Sequence, residues 1–205
     1  ALSRMAAAGM RARKLVYVVA GEPSGDATGA RLMRALAHRA AVDKCTLRFR
    51  GVGGPRMEAA GLKSMFPMAD LSVMGIMELI PHLPRLHARL RETVADIVSS
   101  KPDSVVCVDS KGFAQRVMHR VRAHLDASTP PLIQYAAPSV WAYRNGSRRA
   151  RELRGVVDHL LLLLPFEKPL WEAAGVKCTV VGHPAVEAYM ESCALAGAAQ
   201  VGHAR

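Results

Sequence analysis

Short apolar runs alternate with segments of helical periodicity along most of this chain. The runs that predict strands are 15–20, 46–52, 62–66, 104–108, 132–136, 158–164 and 178–181. The segments that predict helices are 27–39, 56–60, 113–125 and a helix that begins with Pro84 in its first turn. Apolar runs without polar alternation are typical of strands buried on both faces of a parallel sheet. The pattern therefore predicts an α/β domain with a doubly wound, mostly parallel, Rossmann-like sheet.

The loop after the first predicted strand is the most informative segment, with the sequence GEPSGD at 21–26. Gly21 and Gly25 allow a close backbone approach or a positive φ, and Asp26 or Ser24 is expected to cap the following helix. Glu22 and Asp26 place two carboxylates beside that helix N-terminus. The loop matches neither a phosphate-binding P-loop nor a nucleophile elbow nor a dinucleotide fingerprint, so an ordinary strand-to-helix turn is the alternative.

Polar or glycine-containing turns also follow the other predicted strands. Because the carboxyl ends of parallel strands meet at one edge of a sheet, these turns together predict a cleft along that edge. Asp109 directly follows the apolar run 104–108, so its carboxylate is expected to emerge from a dry strand into the cleft. It is the best candidate for an acid or base, and capping of the helix near Phe113 is the alternative.

A second unusual segment is SVWAYR at 139–144. Trp141 and Tyr143 are candidates for stacking on a sugar ring, and Arg144 for holding a phosphate. Anchoring in the core is the commoner role of a tryptophan, and it is the alternative here.

The formal net charge of +11 on 205 residues indicates a surface that attracts anions such as nucleic acid, anionic lipid or phosphorylated substrates. Arginines concentrate at 144–154 and 85–91, where solvated helix faces are the simplest interpretation. Nucleic-acid binding is disfavoured because aromatic residues make up only 5% of the chain and do not interleave with a basic stripe.

Four widely spaced cysteines predict free thiols in a reducing compartment, and the eight histidines form no metal-binding motif, so no metal or other cofactor is expected. The longest apolar run, 160–164, is too short to span a bilayer. The apolar segment 71–83 suits either the core or, with the arginines that follow it, docking on an anionic membrane. Residues 1–13 are basic and rich in alanine, which fits a flexible tail or the end of an organellar transit peptide.

Seven segments in this order resemble lipid-A-disaccharide synthases. They are AGEPSGD at 20–26, GVGGPRM at 51–57, VMGIMELI at 73–80, VDSKGF at 108–113, PSVWAYR at 138–144, LLPFE at 163–167 and VGHP at 181–184. The resemblance implies an inverting glycosyltransferase of the two-domain GT-B type, with residues 14–184 as its N-terminal, acceptor-side half. The implied reaction transfers 2,3-diacylglucosamine from UDP-2,3-diacylglucosamine to 2,3-diacylglucosamine 1-phosphate, without a catalytic metal, in a peripheral membrane protein.

The resemblance also implies roles for particular residues. Asp109 matches the proposed general base for the acceptor 6-hydroxyl. The substrate-binding residues that it implies are Glu22, Ser24, Gly25 and Asp26 in the first loop, and Ser139, Trp141 and Arg144 on the cleft wall. The residues that it implies for membrane and acyl-chain contact are Met74, Ile76, Met77, Glu78, Leu79 and Ile80.

Two departures from the family pattern qualify these expectations. Lys111 and Ala114 stand where bacterial members commonly have proline and asparagine, so the contacts that support Asp109 are expected to differ. Family members are nearly twice this length, and their donor-binding domain follows the VGHP segment, whereas residues 185–205 do not resemble it. The sequence thus predicts little transfer by these residues alone unless a partner or a homodimer completes the site. A non-catalytic lipid-binding fragment is the alternative, and a mitochondrial location follows if the N-terminus is a transit-peptide remnant.

Overall fold

A computed structural model of the protein describes residues 12–71, 76–109, 112–125, 128–190 and 192–193, with the backbone alone described over 76–82. Its strands are β1 (Arg13–Ala20), β2 (Thr46–Val52), β3 (Lys63–Ser64), β4 (Ser104–Val108), β5 (Leu132–Tyr135), β6 (His159–Leu162) and β7 (Cys178–Val180). The helices are α1 (Pro23–Val42), α2 (Pro55–Ala59), α3 (Ile76–Ser100), α4 (Phe113–Leu125), α5 (Gly146–Glu152) and α6 (Lys168–Ala173). Residues 184–190 are also helical.

The seven strands form one sheet in the order β3-β2-β1-β4-β5-β6-β7, and every neighbouring pair is parallel. The predicted doubly wound α/β fold is therefore confirmed. Because the chain moves outward from β1 to β3 and then returns to place β4 on the other side of β1, the strand order reverses between β1 and β4. The crevice outside the carboxyl ends of such strands is the usual ligand site of an open α/β sheet.

Two apolar clusters cover the two faces of the sheet. Alternate residues of β1 point to opposite faces, so Tyr17 and Val19 join the larger cluster while Val18 and Ala20 join the smaller one. The larger cluster includes residues of α3, α4, α5 and α6, and the smaller includes residues of α1 and α2. Burial on both faces explains why the central strands lack polar alternation.

A partly buried polar network ties α3 to the sheet at β1 and β2. The fully buried Tyr17 hydroxyl donates to Asp96 Oδ2 over 3.0 Å, and Arg50 donates to both carboxylate oxygens of Asp96. Burial, with the nearby Asp96 carboxylate, raises the pKa of Tyr17 well above its usual range. The phenol therefore stays protonated and acts as a permanent donor.

Several predicted elements are confirmed with the same bounds, including β2, β4 and α4. Two helix starts were predicted wrongly. Helix α1 begins at Pro23 rather than at residue 27, because a proline at the first helical position needs no N–H donor. Helix α3 begins at Ile76, so Pro81 and Pro84 lie inside it rather than at its first turn. Each proline removes one intrahelical hydrogen bond, and for this reason a proline in a sequence predicts the end of a helix.

The short helices α5, α6 and 184–190 were not predicted. Helix α5 has seven residues and α6 has six, which is too few for a 3.6-residue period to stand out. The helix 184–190 has seven residues and is equally short, and its residues 185–190 are all exposed. The interpretation of the arginines at 144–154 as a solvated face is confirmed for Arg148, Arg149 and Arg151 of α5.

Candidate functional site

The turn after β4 brings Asp109 to the crevice where the strand order reverses. Asp109 has a φ of 59°, a left-handed conformation that aspartate adopts more readily than most residues. Its carboxylate Oδ2 accepts a hydrogen bond of 2.7 Å from the hydroxyl of Ser24, in the first turn of α1. Non-glycine residues held at positive φ cluster at functional sites, so the strained backbone here supports the choice of Asp109 as a candidate.

Gly25 allows the first turn of α1 to lie against the end of β4. A Cβ atom at Gly25 would stand 3.1 Å from the carbonyl oxygen of Val108 and 3.6 Å from Cβ of Asp109. Its role is therefore a close backbone approach, and the alternative of a positive φ at Gly21 or Gly25 is wrong. The tight packing holds Ser24 within reach of Asp109.

Asp26 has a different role from the predicted cap of its own helix. Its carboxylate accepts hydrogen bonds from the backbone N–H groups of Gly54, Arg56 and Met57, at 2.9–3.1 Å. These donors lie at the start of α2, so Asp26 caps α2 rather than its own helix, α1. The N-cap residue of α1 is Glu22, whose side chain makes no capping hydrogen bond. Only 3% of Asp26 is exposed, which leaves its oxygens little access to a ligand.

A cavity of about 330 Å³ opens beside the crevice, between the first loop, α3 and α4. Its apolar lining comes from Leu71, Leu83, Leu86, Leu90 and Phe113, and its polar lining includes Glu22, His87 and Arg116. Gly21 and Gly112 also line the cavity. They come from the turns after β1 and β4, beside the switch point, which is the place where the strand order reverses. The site therefore combines a carboxylate at a strand end with an adjoining apolar cavity that carries charged side chains.

The arginines that follow the apolar segment are not all available to an anion. Asp70 is bound by Arg85 and by Arg89, whose Nη2 lies 2.7 Å from Oδ2, and Arg89 also pairs with Glu92. The Arg89 guanidinium lies 4.6 Å from the centroid of the Phe66 ring. Arg85 and Arg89 thus fasten the turn at Met68–Leu71 to α3, which corrects the view of them as a simple solvated face.

The loops after β5 and β6 form a wall at the same edge of the sheet. Trp141 is 50% exposed, so its alternative role as a core anchor is wrong, and Tyr143 is also exposed. The Trp141 indole N–H donates to Glu167 Oε1 over 3.1 Å, and the Arg149 guanidinium lies 4.2 Å from the centroid of the Tyr143 ring. Arg144 is exposed on this wall.

The predicted site residues fall into three groups. Glu22, Ser24, Gly25, Asp26 and Asp109 meet at the switch point, and Ser139, Trp141 and Arg144 lie on the wall after β5. Met74 and Lys111 lie outside the described residues. For the remaining predicted contact residues the structure describes only the helical backbone of α3, namely for Ile76, Met77, Glu78, Leu79 and Ile80.

Glu167 received no role from sequence reasoning, although its turn was assigned to the cleft edge. It is 3% exposed, and burial raises the pKa of its carboxyl, an effect that the Trp141 hydrogen bond partly opposes. A glutamate three residues after the end of the apolar run 160–164 was the available signal. The partner on the preceding loop could not be read from the sequence.

The cysteines of the described residues form no disulfide bond with one another. All four cysteines are free, and burial raises the pKa of the Cys107 thiol to about 12. Within the described ranges, no three side chains of histidine, cysteine, aspartate or glutamate are grouped so as to hold a metal ion. None of the helices described has both the length and the apolar character needed to cross a membrane.

Comparison with known proteins gives one consistent result. A family model described as Lipid-A-disaccharide synthetase matches residues 16–200. The chain is similar to the lipid-A-disaccharide synthases of Rhodospirillum centenum, with 50% identity over 84% of this chain and 41% of the relative, and of Ruegeria pomeroyi, with 46% identity over 83% and 40%. It is also similar to an Arabidopsis thaliana protein named probable lipid-A-disaccharide synthase, mitochondrial, with 43% identity over 84% and 38%. The chain thus spans about two fifths of the length of these curated relatives.

Proposed function

The chain belongs to the lipid-A-disaccharide synthase family, and on that premise we propose that it supplies the acceptor side of a glycosyltransferase site. The reaction would transfer 2,3-diacylglucosamine from UDP-2,3-diacylglucosamine to the 6-hydroxyl of 2,3-diacylglucosamine 1-phosphate. One observation carries the proposal. The carboxylate of Asp109 stands at the switch point of the sheet, held by Ser24 and next to an apolar cavity.

Asp109 acts as the general base in this proposal. The Ser24 hydroxyl occupies Oδ2, and no hydrogen bond to Oδ1 is found among the described residues, so Oδ1 is available to the acceptor hydroxyl. As the acceptor oxygen attacks the anomeric carbon, its proton passes to Asp109 and the bond from that carbon to the UDP oxygen breaks. Attack from the face opposite UDP inverts the configuration at the anomeric carbon. A positioned base of this kind contributes about 10²–10⁴-fold to the rate.

The other predicted residues receive binding roles. The approach to Asp109 is lined by Glu22, Ser24 and Gly25. Asp26 supports the loop that carries them indirectly, because its carboxylate binds the start of α2. Ser139, Trp141 and Arg144 contact the sugar and phosphate groups from the wall after β5. The cavity beside Gly21 receives part of an acyl chain, since half of its lining residues are leucine or phenylalanine.

Lipid substrates place the protein at a membrane surface in this proposal, without a spanning segment. The exposed Leu83 lies at the cavity, and the predicted contact residues Met74, Ile76, Met77, Glu78, Leu79 and Ile80 precede it in sequence. Sedimentation with vesicles that contain anionic lipid, compared with neutral vesicles, tests this association. A mitochondrial location rests on the name of the Arabidopsis relative, and a homodimer stays a prediction that light scattering would check.

Non-catalytic lipid binding is the second candidate, and the apolar cavity favours it because a cavity can hold an acyl chain without any chemistry. The two candidates differ in what Asp109 does. In a transferase, Asp109→Asn abolishes transfer and leaves lipid binding intact. In a lipid-binding protein, the same change has no measurable consequence.

The test is a transfer assay with both diacylglucosamine substrates in detergent, read by mass spectrometry. These residues alone should transfer little, but with a partner that supplies the donor-binding domain we expect the disaccharide to form and its rate to fall at least 10²-fold in Asp109→Asn. Asp43→Asn is the matched control, because Asp43 is an exposed carboxylate whose side chain pairs with Arg39 at the far end of α1. Undiminished transfer in Asp109→Asn would reject the role of Asp109. Acceptor binding without any product, even with that partner present, would favour the lipid-binding alternative.

A further inference from the structure

Trp141 is half exposed, yet two contacts hold its ring in one orientation. The indole N–H donates to Glu167 Oε1 over 3.1 Å. The Phe166 ring meets the indole edge-to-face, with ring centroids 5.4 Å apart and planes at 79°. Aromatic pairs prefer this arrangement over a face-to-face sandwich. An exposed aromatic side chain is thus fixed with part of its surface open to solvent.

The acceptor of that hydrogen bond is the Glu167 carboxylate, and burying a carboxylate costs free energy. Glu167 is 3% exposed, and no ion pair to its carboxylate is found among the described residues. The neighbouring Lys168 pairs instead with Glu172, at 3.7 Å. Removing a carboxylate from water without a cationic partner costs free energy, which its hydrogen bonds from Trp141 and from the backbone of Leu164 only partly offset.

The second tryptophan shows that the hydrogen bond is not needed to satisfy the indole. Trp171 is fully buried, and its N–H has no hydrogen-bond partner among the described residues. A buried donor without a partner is the costly case, whereas the N–H of an exposed indole can bond to water. Glu167 nevertheless bonds to Trp141. The bond therefore fixes the orientation of the Trp141 ring, whose N–H could bond to water without Glu167.

Trp141 and Glu167 lie on the same edge of the sheet as Asp109. Trp141 is in the turn Val140–Ala142 after β5, and Glu167 is in the turn Pro165–Glu167 after β6. Strand β5 pairs with β4, and the N–H of Asp109 donates to the carbonyl of Tyr135 at the end of β5. The indole thus stands on the wall at the same sheet edge as the candidate base.

We propose that Glu167 is a positioning residue that holds the Trp141 indole as a fixed platform for stacking against the pyranose ring of the sugar substrate. The pyranose as ligand rests on the proposed function. A fixed aromatic ring loses little conformational entropy when a ligand stacks on it, and this favours binding. The hydrogen bond joins the loop after β5 to the loop after β6, so it also fixes the position of one loop relative to the other.

Three variants test whether Glu167 orients the Trp141 ring or only stabilises the fold. Glu167→Gln keeps a carbonyl acceptor and similar shape, Glu167→Leu removes the acceptor, and Trp141→Phe keeps an aromatic ring without the N–H donor. Glu172→Gln is the matched control, because Glu172 is an exposed neighbour on α6 that does not contact Trp141. Urea unfolding and circular dichroism confirm that each variant is folded. If Glu167→Leu does not fold, Trp141→Phe still tests the proposal.

The first readout needs no ligand. Time-resolved anisotropy of tryptophan fluorescence reports the local rotation of Trp141 above the constant signal of the buried Trp171. We expect fast local rotation in Glu167→Leu and slow rotation in the wild type, in Glu167→Gln and in Glu172→Gln. Slow rotation in a folded Glu167→Leu protein would overturn the proposal.

The second readout uses 2,3-diacylglucosamine 1-phosphate in detergent as the probe, with KM and kcat measured in the transfer assay. We expect KM to rise about tenfold in Glu167→Leu and in Trp141→Phe, with kcat within about twofold of the wild type and Glu167→Gln close to the wild type. An unchanged KM in both variants, with an active wild type, overturns the proposal and leaves the proposed function standing. A wild type that neither binds the probe nor transfers overturns the proposed function and, with it, the pyranose ligand.

Discussion

The segments that follow β1 and β4 each carry an aspartate, and the two carboxylates have opposite surroundings. Asp26 is buried, and its two oxygens accept hydrogen bonds from three backbone amides at the start of α2. Asp109 is partly exposed, and among the described residues its side chain has a single hydrogen bond, from Ser24. Both residues lie in segments that resemble the same family. Only one of them has an oxygen free to accept a proton.

The difference teaches that hydrogen-bond satisfaction separates a structural carboxylate from a chemical one. A carboxylate that accepts several backbone N–H bonds stabilises the chain that surrounds it and has little capacity left for a ligand. The role of Asp26 in substrate binding stays a prediction, and the contacts favour an indirect role through the position of α2. Three substitutions test this contrast, and a pH experiment extends it to a third carboxylate, that of Glu167.

Asp26→Ala should have the largest effect. It leaves two buried amides, those of Gly54 and Met57, and a partly buried one without an acceptor, and each unsatisfied buried group costs about 1–3 kcal/mol. We expect a loss of roughly 3–5 kcal/mol in the free energy of unfolding, measured with urea. Asp109→Ala is the comparison, with a change below about 1 kcal/mol. Equal losses for the two variants would contradict the contrast.

Gly54→Ala should disturb the same network from the other side. A Cβ atom there would stand 2.7 Å from the Asp26 carboxylate, closer than real contacts allow. We expect a loss of about 1–3 kcal/mol, as for other overpacked positions. Gly112→Ala is the matched control near Asp109, because its nearest atom would be the flexible Arg116 guanidinium at 3.6 Å. A control that is as unstable as Gly54→Ala would show that the turn near Asp109 is equally tight.

Ser24→Ala should change activity more than stability. Ser24 is exposed, so we expect the free energy of unfolding to stay within about 0.5 kcal/mol of the wild type. Transfer should fall about tenfold, which corresponds to about 1.4 kcal/mol, because the Asp109 carboxylate loses the hydroxyl that orients it. Ser99→Ala serves as a control, since Ser99 is an exposed serine on α3. Full activity in Ser24→Ala would mean that Asp109 needs no such support.

The pH dependence of stability at Glu167 should be the smallest effect. Burial raises the pKa of Glu167 in the folded protein, so the folded state binds this proton more tightly than the unfolded state. Stability contributed by the protonated carboxyl is therefore present at low pH and is lost as the pH rises from about 4 through the raised pKa. Relative to Glu167→Gln, the wild type should lose stability between acidic and neutral pH in urea titrations. Parallel pH profiles for the two proteins would contradict this expectation.

Much of the fold could be predicted from the sequence because apolar runs are local signals. The buried residues of β1 and β4 and the helical period of α4 are properties of consecutive residues, and the structure confirms their bounds within one or two residues. The start of α3 could not be predicted, because Pro81 and Pro84 are ordinary stop signals and the helix continues through both. Tertiary packing decides such cases.

The site was predicted as a set of turns at one edge and not as a set of contacts. Sequence alone determined that Asp109 follows a buried strand, that GEPSGD precedes a helix, and that these segments resemble one family. The structure decided that Asp26 binds amides 28–31 residues away, that Ser24 meets Asp109 across 85 residues, and that Glu167 holds Trp141. The physical reason is the range of each signal. Hydrophobic periodicity is written in neighbouring residues, whereas hydrogen bonds that satisfy a buried polar group join segments that only folding brings together.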